Sequence, residues 1–344
     1  MKKLFVALLL SLFAAGAFAQ AKMRVAWSHY TGWEPWGYAQ QAGILDKWAK
    51  KYGIQIDLVL VNDYVESINL YTSGKFEACA MTNMDVLTIP AVGGVDSTAV
   101  IIGDFSNGND GIVIKNGKSV KDLKGRTVKL VEFTVSHYML ARALEMNGLS
   151  ERDLKTVNTS DSDIAAVFAA DPNGAAVTWN PPLQQARNAK GAALVFDSSK
   201  IPGEIIDMMV VRTSAPDTLK KALAGAWYEV MQVMTSADKS GADAVAWMAK
   251  SSGATVPEFK AQLGTTAMFY KAGDAVTFAT GAQLPKTMDY VRGFSFSKGL
   301  FGQRARNKDF VGIAFPDGSV LGDAKNVKLR FSAEFMKQAA EGKL

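Results

Sequence analysis

Short apolar runs alternate with amphipathic stretches along the first two thirds of the chain, and this alternation predicts repeating strand–helix units. Met23–Trp27 has the composition of a strand, and the amphipathic stretch that follows, Pro35–Tyr52, predicts one helix. Gln55–Val61 then predicts a strand, and Tyr64–Ser73 predicts a helix that ends at Gly74. Such an alternation favours a parallel sheet with helices on both of its faces.

The alternation is interrupted at Asn107–Gly111 and then starts again, which predicts a second α/β unit. In this unit, residues 125–131 predict a strand and Ser136–Asn147 a helix, and further pairs continue to about residue 207. Beyond Val211 the pattern becomes helical, except that the segment 294–325 is rich in glycine and aromatic residues and predicts loops or a short hairpin.

These two alternations predict an α/β fold of two lobes. We predict that residues 20–109 plus 208–344 form lobe 1, and that residues 110–207 form lobe 2. The chain would cross between the lobes twice, near Asp110 and Asp207, and these crossings would form a hinge. A cleft between lobes is a preferred site for a small ligand, and hinge closure is its usual motion.

The first 19 residues have the pattern of a secretory signal peptide. Met1–Lys3 is a basic start, Leu4–Ala15 is an apolar run too short to span a bilayer, and Ala17–Ala19 fits an A-x-A cleavage site. We therefore predict cleavage after Ala19 and export of the mature chain to the periplasm.

Charge and cysteine content argue against several classes of protein. The formal charge of +5 falls to +3 without Lys2 and Lys3, and the remaining basic residues form no stripe, which argues against nucleic-acid binding. Cys79 is the single cysteine and lies in an apolar run, so we predict a buried thiol and no internal disulfide. Two histidines and one cysteine cannot form a His/Cys metal cluster, and we expect no metal and no cofactor.

The loop between the first strand and the first helix is the strongest candidate for a binding site. It holds His29, Tyr30, Trp33, Glu34 and Trp36 within eight residues. Aromatic rings beside a carboxylate suit a small, weakly hydrated or cationic ligand. The alternative is that the tryptophans fill the core and that Glu34 complements a helix dipole.

Other candidates lie where later strands end and helices begin. Asp207 is a candidate for a different reason, because it interrupts an apolar run. Asp85 follows Asn83 at such a junction, although it could also be no more than a helix N-cap. In full, the predicted ligand-binding residues are Tyr30, Trp33, Glu34, Trp36, Asn83, Asp85, Glu132, Thr134, Trp179, Asn180 and Asp207. Asp104 is a weaker candidate, and His137 is a better helix-start residue than a ligand-binding one.

Several motifs resemble a known family. They are Gly37–Leu45, Ser73–Ala78, the V-x-D-L-K-G sequence within Ser119–Arg126, and the W-x-P turn of Trp179–Pro182. The chain resembles, over almost all of its mature length, the periplasmic substrate-binding components of ABC transporters of the nitrate/sulfonate/taurine class. The resemblance implies a two-lobed type II binding-protein fold, a small-molecule ligand, an inner-membrane permease as partner, and a monomer.

Within that class, the loop Ser28–Trp36 and the sequence Thr82–Asp85 resemble the subgroup encoded beside urea carboxylase, enzymes understood to act on guanidine derivatives. That resemblance implies guanidinium or urea as the ligand. The charge of the residues at the predicted cleft agrees with a cationic or neutral ligand. A sulfonate or nitrate site needs inward-pointing cations, whereas the loops at the predicted cleft are acidic.

Two alternatives stay open from the sequence. The same fold could bind urea, a small amine, or an anion of the sulfonate or nitrate type. An enzyme is the other class, because a pyrimidine-precursor synthase shares the fold, but that family is cytosolic, cysteine-rich and lysine-dependent. No nucleophile–base or metal motif is present, so we predict a protein that is not an enzyme.

Overall fold

Residues 22–344 are described by a computed structural model of the chain, so the predicted signal peptide at residues 1–19 lies outside the described part. The strands, in chain order, are β1 (Met23–Trp27), β2 (Ile56–Leu60), β3 (Ala78–Thr82), β4 (Ser97–Ser106), β5 (Asp110–Lys115), β6 (Thr127–Leu130), β7 (Lys155–Asn158), β8 (Ala175–Trp179), β9 (Ala192–Asp197), β10 (Ile206–Arg212), β11 (Thr266–Met268), β12 (Gly312–Ala314), β13 (Val320–Leu321) and β14 (Val327–Phe331).

The α-helices flank these strands along the whole chain. They are α1 (Glu34–Gln41), α2 (Ile44–Lys51), α3 (Tyr64–Thr72), α4 (Asn83–Val86), α5 (Val135–Met146), α6 (Ile164–Ala170), α7 (Pro182–Asn188), α8 (Asp217–Met234), α9 (Lys239–Ser251), α10 (Val256–Leu263), α11 (Ala272–Ala279), α12 (Gln283–Ser297) and α13 (Glu334–Ala340). None of the helices in residues 22–344 has the length and apolar composition needed to cross a bilayer.

The strands form two separate sheets, which confirms the predicted two-lobed α/β fold. One has nine strands in the order β13-β12-β14-β4-β10-β3-β1-β2, with β11 also paired to β4. The other has five strands in the order β7-β6-β8-β5-β9. The chain leaves the first sheet after Ser106 and returns to it at Ile206. The lobe boundaries given above stay a prediction.

The first sheet is mixed, whereas the sequence favoured a parallel one. β1 pairs in parallel with β2 and β3, as predicted, but β10 lies between β3 and β4 and is antiparallel to both. The reason is topological. β4 carries the chain out to the second lobe and β10 carries it back beside β4, so these two neighbours must run in opposite directions.

One local prediction was wrong, and a second was met in part. The single helix predicted at Pro35–Tyr52 is two helices, α1 and α2, because Gly43 adopts a left-handed conformation with φ of 71° and caps α2. The segment 294–325, predicted as loops or a short hairpin, contains the end of α12 and the antiparallel pair β12–β13, which agrees with the hairpin alternative. Strand β14 lies just beyond it and joins the first sheet through β4.

Candidate ligand-binding site

A small enclosed cavity lies between the two lobes. It has about 240 Å³ of space free of atoms, of which only about 10 Å³ admits the centre of a water-sized sphere. A cavity of this size suits only a very small ligand. The lining residues come from both lobes and are Tyr30, Trp33, Tyr64, Thr82, Asp110, Val135, Trp179, Ile205 and Asp207.

Strand register brings these residues together. Asp207 pairs across β10 and β3 with Thr82, the last residue of β3, and it pairs on its other side with Asp104 of β4. In the second sheet, Asp110 at the start of β5 pairs with Trp179 at the end of β8. Strand ends from both sheets therefore meet at the cavity, where α/β proteins commonly bind ligands.

Four aromatic rings form one wall that crosses from lobe 1 to lobe 2. The ring centroids of Tyr30 and Trp33 are 5.1 Å apart, those of Trp33 and Tyr64 5.4 Å, and those of Tyr64 and Trp179 5.5 Å. All four side chains are buried. Such a wall presents π-electron faces and edges to a ligand rather than hydrogen-bond donors alone.

Asp104 and Asp207 form a buried pair of carboxyl groups, directly opposite each other on β4 and β10, and each perturbs the pKa of the other. The Tyr30 hydroxyl donates to Asp104 Oδ1 at 3.0 Å, while Oδ2 of each aspartate has no partner. Burial raises the pKa of Asp104 to about 7 and raises that of Asp207 well above its ordinary value. A Cβ placed on Gly32 would lie 2.3 Å from Asp104 Oδ2, so only glycine leaves room for this carboxyl group.

Asp85 lies behind the aromatic wall and is held by hydroxyl groups. Its Oδ2 accepts from the Tyr64 hydroxyl at 2.7 Å and from Thr82 Oγ1 at 2.8 Å, and the Val135 backbone N–H also reaches it. These donors stabilise the carboxylate, but burial outweighs them and raises its pKa to about 6. Oδ1 of Asp85 has no partner.

Asp110 contributes the carboxyl group from the lobe 2 side. Burial raises its pKa to about 7, and a hydrogen bond from Ser106 opposes the shift. Within residues 22–344, no lysine, arginine or histidine is among the groups that perturb Asp85, Asp104, Asp110 or Asp207. The cavity thus concentrates buried carboxyl groups without a protein counter-ion.

Of the predicted ligand-binding residues, Tyr30, Trp33, Trp179 and Asp207 line the cavity. Asp85 lies directly behind its wall.

Trp36 and Glu34 lie outside the cavity lining. Trp36 packs on Trp227 in the core, with ring centroids 4.9 Å apart. Glu34 is fully buried, and His29 Nδ1 donates to its Oε1 at 2.6 Å. Burial raises the pKa of Glu34. Burial alone would lower the pKa of His29, but the hydrogen bond that His29 donates to Glu34 and the charge of Glu34 outweigh burial and raise it.

Asn83 holds the segment in which the chain returns to the first sheet. Its side-chain amide donates to the Glu204 carbonyl at 3.1 Å and accepts from the Ile206 N–H at 3.1 Å. Asn180 is buried beside the other crossing, where its backbone N–H donates to the Asn109 carbonyl at 3.0 Å.

Glu132 and Thr134 also lie outside the lining. Glu132 is partly exposed and accepts a hydrogen bond from Thr156 of β7. Thr134 caps α5 and donates to the Val131 carbonyl at 2.8 Å. Its role in the structure is to start the helix whose first residue, Val135, lines the cavity.

The sequence analysis missed the other lining residues, namely Tyr64, Thr82, Asp110, Val135 and Ile205. Asp110 and Asp104 carried a weak signal, because they are acids in otherwise apolar or glycine-rich strand segments. Tyr64 carried none, since a tyrosine that opens a helix is common. No three His, Cys, Asp or Glu side chains in residues 22–344 converge in a way that could hold a metal ion.

Solved structures share this fold at low sequence identity. The alkanesulfonate-binding protein SsuA from Xanthomonas axonopodis pv. citri bound to MOPS is 16% identical, with a TM-score of 0.67, over 83% of this chain and 96% of that one. The periplasmic aliphatic sulphonate binding protein SsuA from Escherichia coli is also 16% identical, with a TM-score of 0.66 over the same shares. The periplasmic nitrate-binding protein NrtA from Synechocystis PCC 6803 is 12% identical, with a TM-score of 0.57, over 95% and 99%.

The fold of this chain is therefore that of periplasmic binding proteins. No curated protein matches its sequence. The family model described as NMT1/THI5 like matches residues 38–222, which is more than half of the chain and includes most of the residues around the cavity. The chain belongs to the NMT1/THI5-like family.

Proposed function

We propose that the protein is the solute-binding component of an ABC importer and captures guanidinium, or a close guanidino or urea compound, for nitrogen uptake. It would act in the periplasm as a monomer and deliver its ligand to an inner-membrane permease. The two-lobed fold, the family and the signal-like N-terminus support this role in transport rather than catalysis.

The observation that carries the choice of ligand is the cluster of Asp85, Asp104, Asp110 and Asp207 without a protein cation. Buried carboxylates are costly unless they are paired or protonated. A cationic ligand would supply the missing charge. An anion would add to the repulsion.

Guanidinium fits the shape of the site as well as its charge. It is planar, delocalised and weakly hydrated, so carboxylates can accept its edge N–H groups while aromatic rings cover its faces. A desolvated cation–π contact contributes roughly 2 kcal/mol, and a charge-assisted hydrogen bond about 1.5–3 kcal/mol. Two of each would be enough for micromolar affinity, about −8 kcal/mol, in a preorganised cavity.

A sulfonate- or nitrate-type anion is the second candidate, because the solved relatives named above bind such ligands according to their descriptions. Urea is a variant of the first proposal, since protonated carboxyl groups can donate to its carbonyl oxygen. Because the pKa values of Asp104 and Asp110 are raised, these groups can be protonated near neutral pH, and urea is therefore included in the test.

The test is calorimetric titration of the chain from Gln20 with guanidinium chloride, urea, taurine and nitrate at matched ionic strength, with sodium chloride as the blank. We expect micromolar binding of guanidinium and no heat from the anions. Binding of taurine or nitrate alone would overturn the proposed cationic ligand, and binding of urea alone would mean that the cavity selects shape over charge.

A further inference from the structure

The carboxyl pair of Asp104 and Asp207 requires a proton. The two residues are directly opposite on the antiparallel strands β4 and β10, both are buried, and each carboxyl group perturbs the pKa of the other. Two carboxylates are both acceptors, so a hydrogen bond between them exists only when one of them is protonated. No side-chain cation in residues 22–344 is among the groups that perturb the pair, so without a ligand a proton supplies its positive charge.

The groups that face the pair offer no substitute for that proton. Tyr30, from the loop after β1, donates to Asp104, and Tyr270, from the segment after β11, lies close enough to be perturbed by it. Asp110, at the start of β5, adds a further acidic group that repels charge on both members of the pair. The surroundings are hydroxyl groups and acids, and they favour a shared proton.

The two members of the pair have different positions relative to the ligand. Asp207 lines the cavity, whereas Asp104 lies behind it and is oriented by Tyr30. A ligand cation in the cavity meets the carboxyl group of Asp207 first. The proton on the pair and a guanidinium N–H are therefore alternative hydrogen-bond donors to the same carboxylate oxygens.

We propose that the site exchanges a proton for its cationic ligand, so that each guanidinium that binds releases the proton held between Asp207 and Asp104. This inference rests on the proposed function. The O–H bond of the protonated carboxyl group breaks, the proton goes to water, and the Asp207 carboxylate accepts a hydrogen bond from the ligand instead, while the ligand's positive charge replaces that of the proton. The ligand keeps all of its own protons, so charge and atoms balance.

The exchange makes ligand affinity depend on pH in a defined direction. When binding releases a proton, the dissociation constant rises by about tenfold for each pH unit of acidification. The site would therefore retain guanidinium at neutral pH and lose it in mild acid, over a range in which the ligand itself does not titrate.

Proton release by the wild-type protein is the primary test. Guanidinium chloride is added to the protein in weakly buffered solution near pH 7, a pH-stat counts the protons released, and calorimetry gives the dissociation constant from pH 6 to 8. We expect about one proton per bound ligand and affinity that weakens about tenfold per unit towards pH 6. Binding with no proton release and no pH dependence overturns the exchange alone, whereas no binding at any pH overturns the proposed function with it.

Two isosteric variants then separate the pair from its acidic neighbour. In Asp104→Asn, the amide donates to the Asp207 carboxylate and no shared proton is needed, so we expect proton release to disappear and the affinity to become flat between pH 6 and 8. The matched control is Asp110→Asn, which removes another buried acid of the same cavity; we expect weaker binding but about one proton still released. If proton release instead persists in Asp104→Asn and disappears in Asp110→Asn, the exchanged proton lies on Asp110, and the assignment to the pair is overturned.

Discussion

At the scale of single residues, the neighbours of each aspartate decide what it can do. Asp85 is surrounded by hydroxyl and N–H donors, and its pKa is raised to about 6. Asp104 has one hydroxyl donor and an acidic neighbour, and its pKa is raised to about 7. Asp85 is therefore closer to an ionised carboxylate that accepts structural hydrogen bonds. Asp104 is closer to a carboxyl group that carries a proton.

Asp207 is the residue whose loss should affect a cationic ligand most directly. Asp207→Asn keeps the shape of the side chain but cannot supply a negative charge, so we expect guanidinium affinity to fall by more than about tenfold, the value of one charge-assisted bond. Calorimetric titration at pH 7.5 measures the change. Glu132→Gln is the matched control, because Glu132 contacts Thr156 outside the cavity and its change should leave affinity within about twofold. Equal losses in both variants would contradict the location of the site.

Trp179 tests the aromatic wall. Trp179→Leu keeps an apolar side chain but removes the π-face from lobe 2, so we expect guanidinium affinity to fall by about 1–2 kcal/mol. Trp48→Leu is the control, since Trp48 lies outside the cavity lining, where its indole N–H donates to Glu229 at 2.7 Å. Titration of both variants measures the difference, and undiminished binding by Trp179→Leu would argue against a cation–π contact there.

At the scale of elements, a hydrogen-bond network joins the end of β3 to the start of α3. The Tyr64 hydroxyl donates to Asp85 and accepts from the Thr82 backbone N–H at 3.0 Å. One side chain at the first position of α3 therefore satisfies two buried polar groups, the Thr82 N–H at the end of β3 and the Asp85 carboxylate in α4. This junction also fixes the ring of Tyr64 against Trp33 and Trp179.

Removing that hydroxyl should destabilise the junction without changing its shape. In Tyr64→Phe, the Thr82 N–H loses its partner and Asp85 loses one donor, so we expect a loss of about 1–3 kcal/mol in the free energy of unfolding. Scanning calorimetry is the suitable measurement, because urea and guanidinium are candidate ligands. Tyr290→Phe, at an exposed tyrosine, is the control and should leave the melting temperature unchanged.

At the scale of the whole molecule, the buried acids link stability to pH. The pKa values of Asp104 and Asp110 are about 7 in the folded protein and near 3.8 when the chain is unfolded. Between these values the folded state binds more protons than the unfolded state, so stability falls as pH rises.

We therefore expect the melting temperature of the unliganded protein to fall from pH 5 to pH 8. The raised pKa of His29 acts in the same direction. Calorimetry at pH 5, 6, 7 and 8 without ligand measures this, and Asp104→Asn should flatten the profile because it removes one of the titrating groups. A melting temperature that rises across the same range would contradict the protonated state of the cluster.

The sequence by itself determined the elements, because periodicity and glycine positions are local. Met23–Trp27 was predicted as a strand with the bounds it has, and the helix predicted at Tyr64–Ser73 differs from α3 by one residue. The loop with Tyr30 and Trp33 was predicted to bind a ligand from its composition, and the structure places both residues at the cavity. The alternation also predicted two α/β lobes, since each strand–helix run needs its own sheet.

Only the tertiary structure decided which candidates meet. Trp36 and Glu34 come from the same loop as Trp33 but point into the core, because a helix turns successive side chains to different faces. Asp207 is far in sequence from Asp104 and Asp110, and strand register and the two chain crossings bring the three to one place. Burial there raises their pKa values, and burial depends on the packing of both lobes rather than on any local pattern.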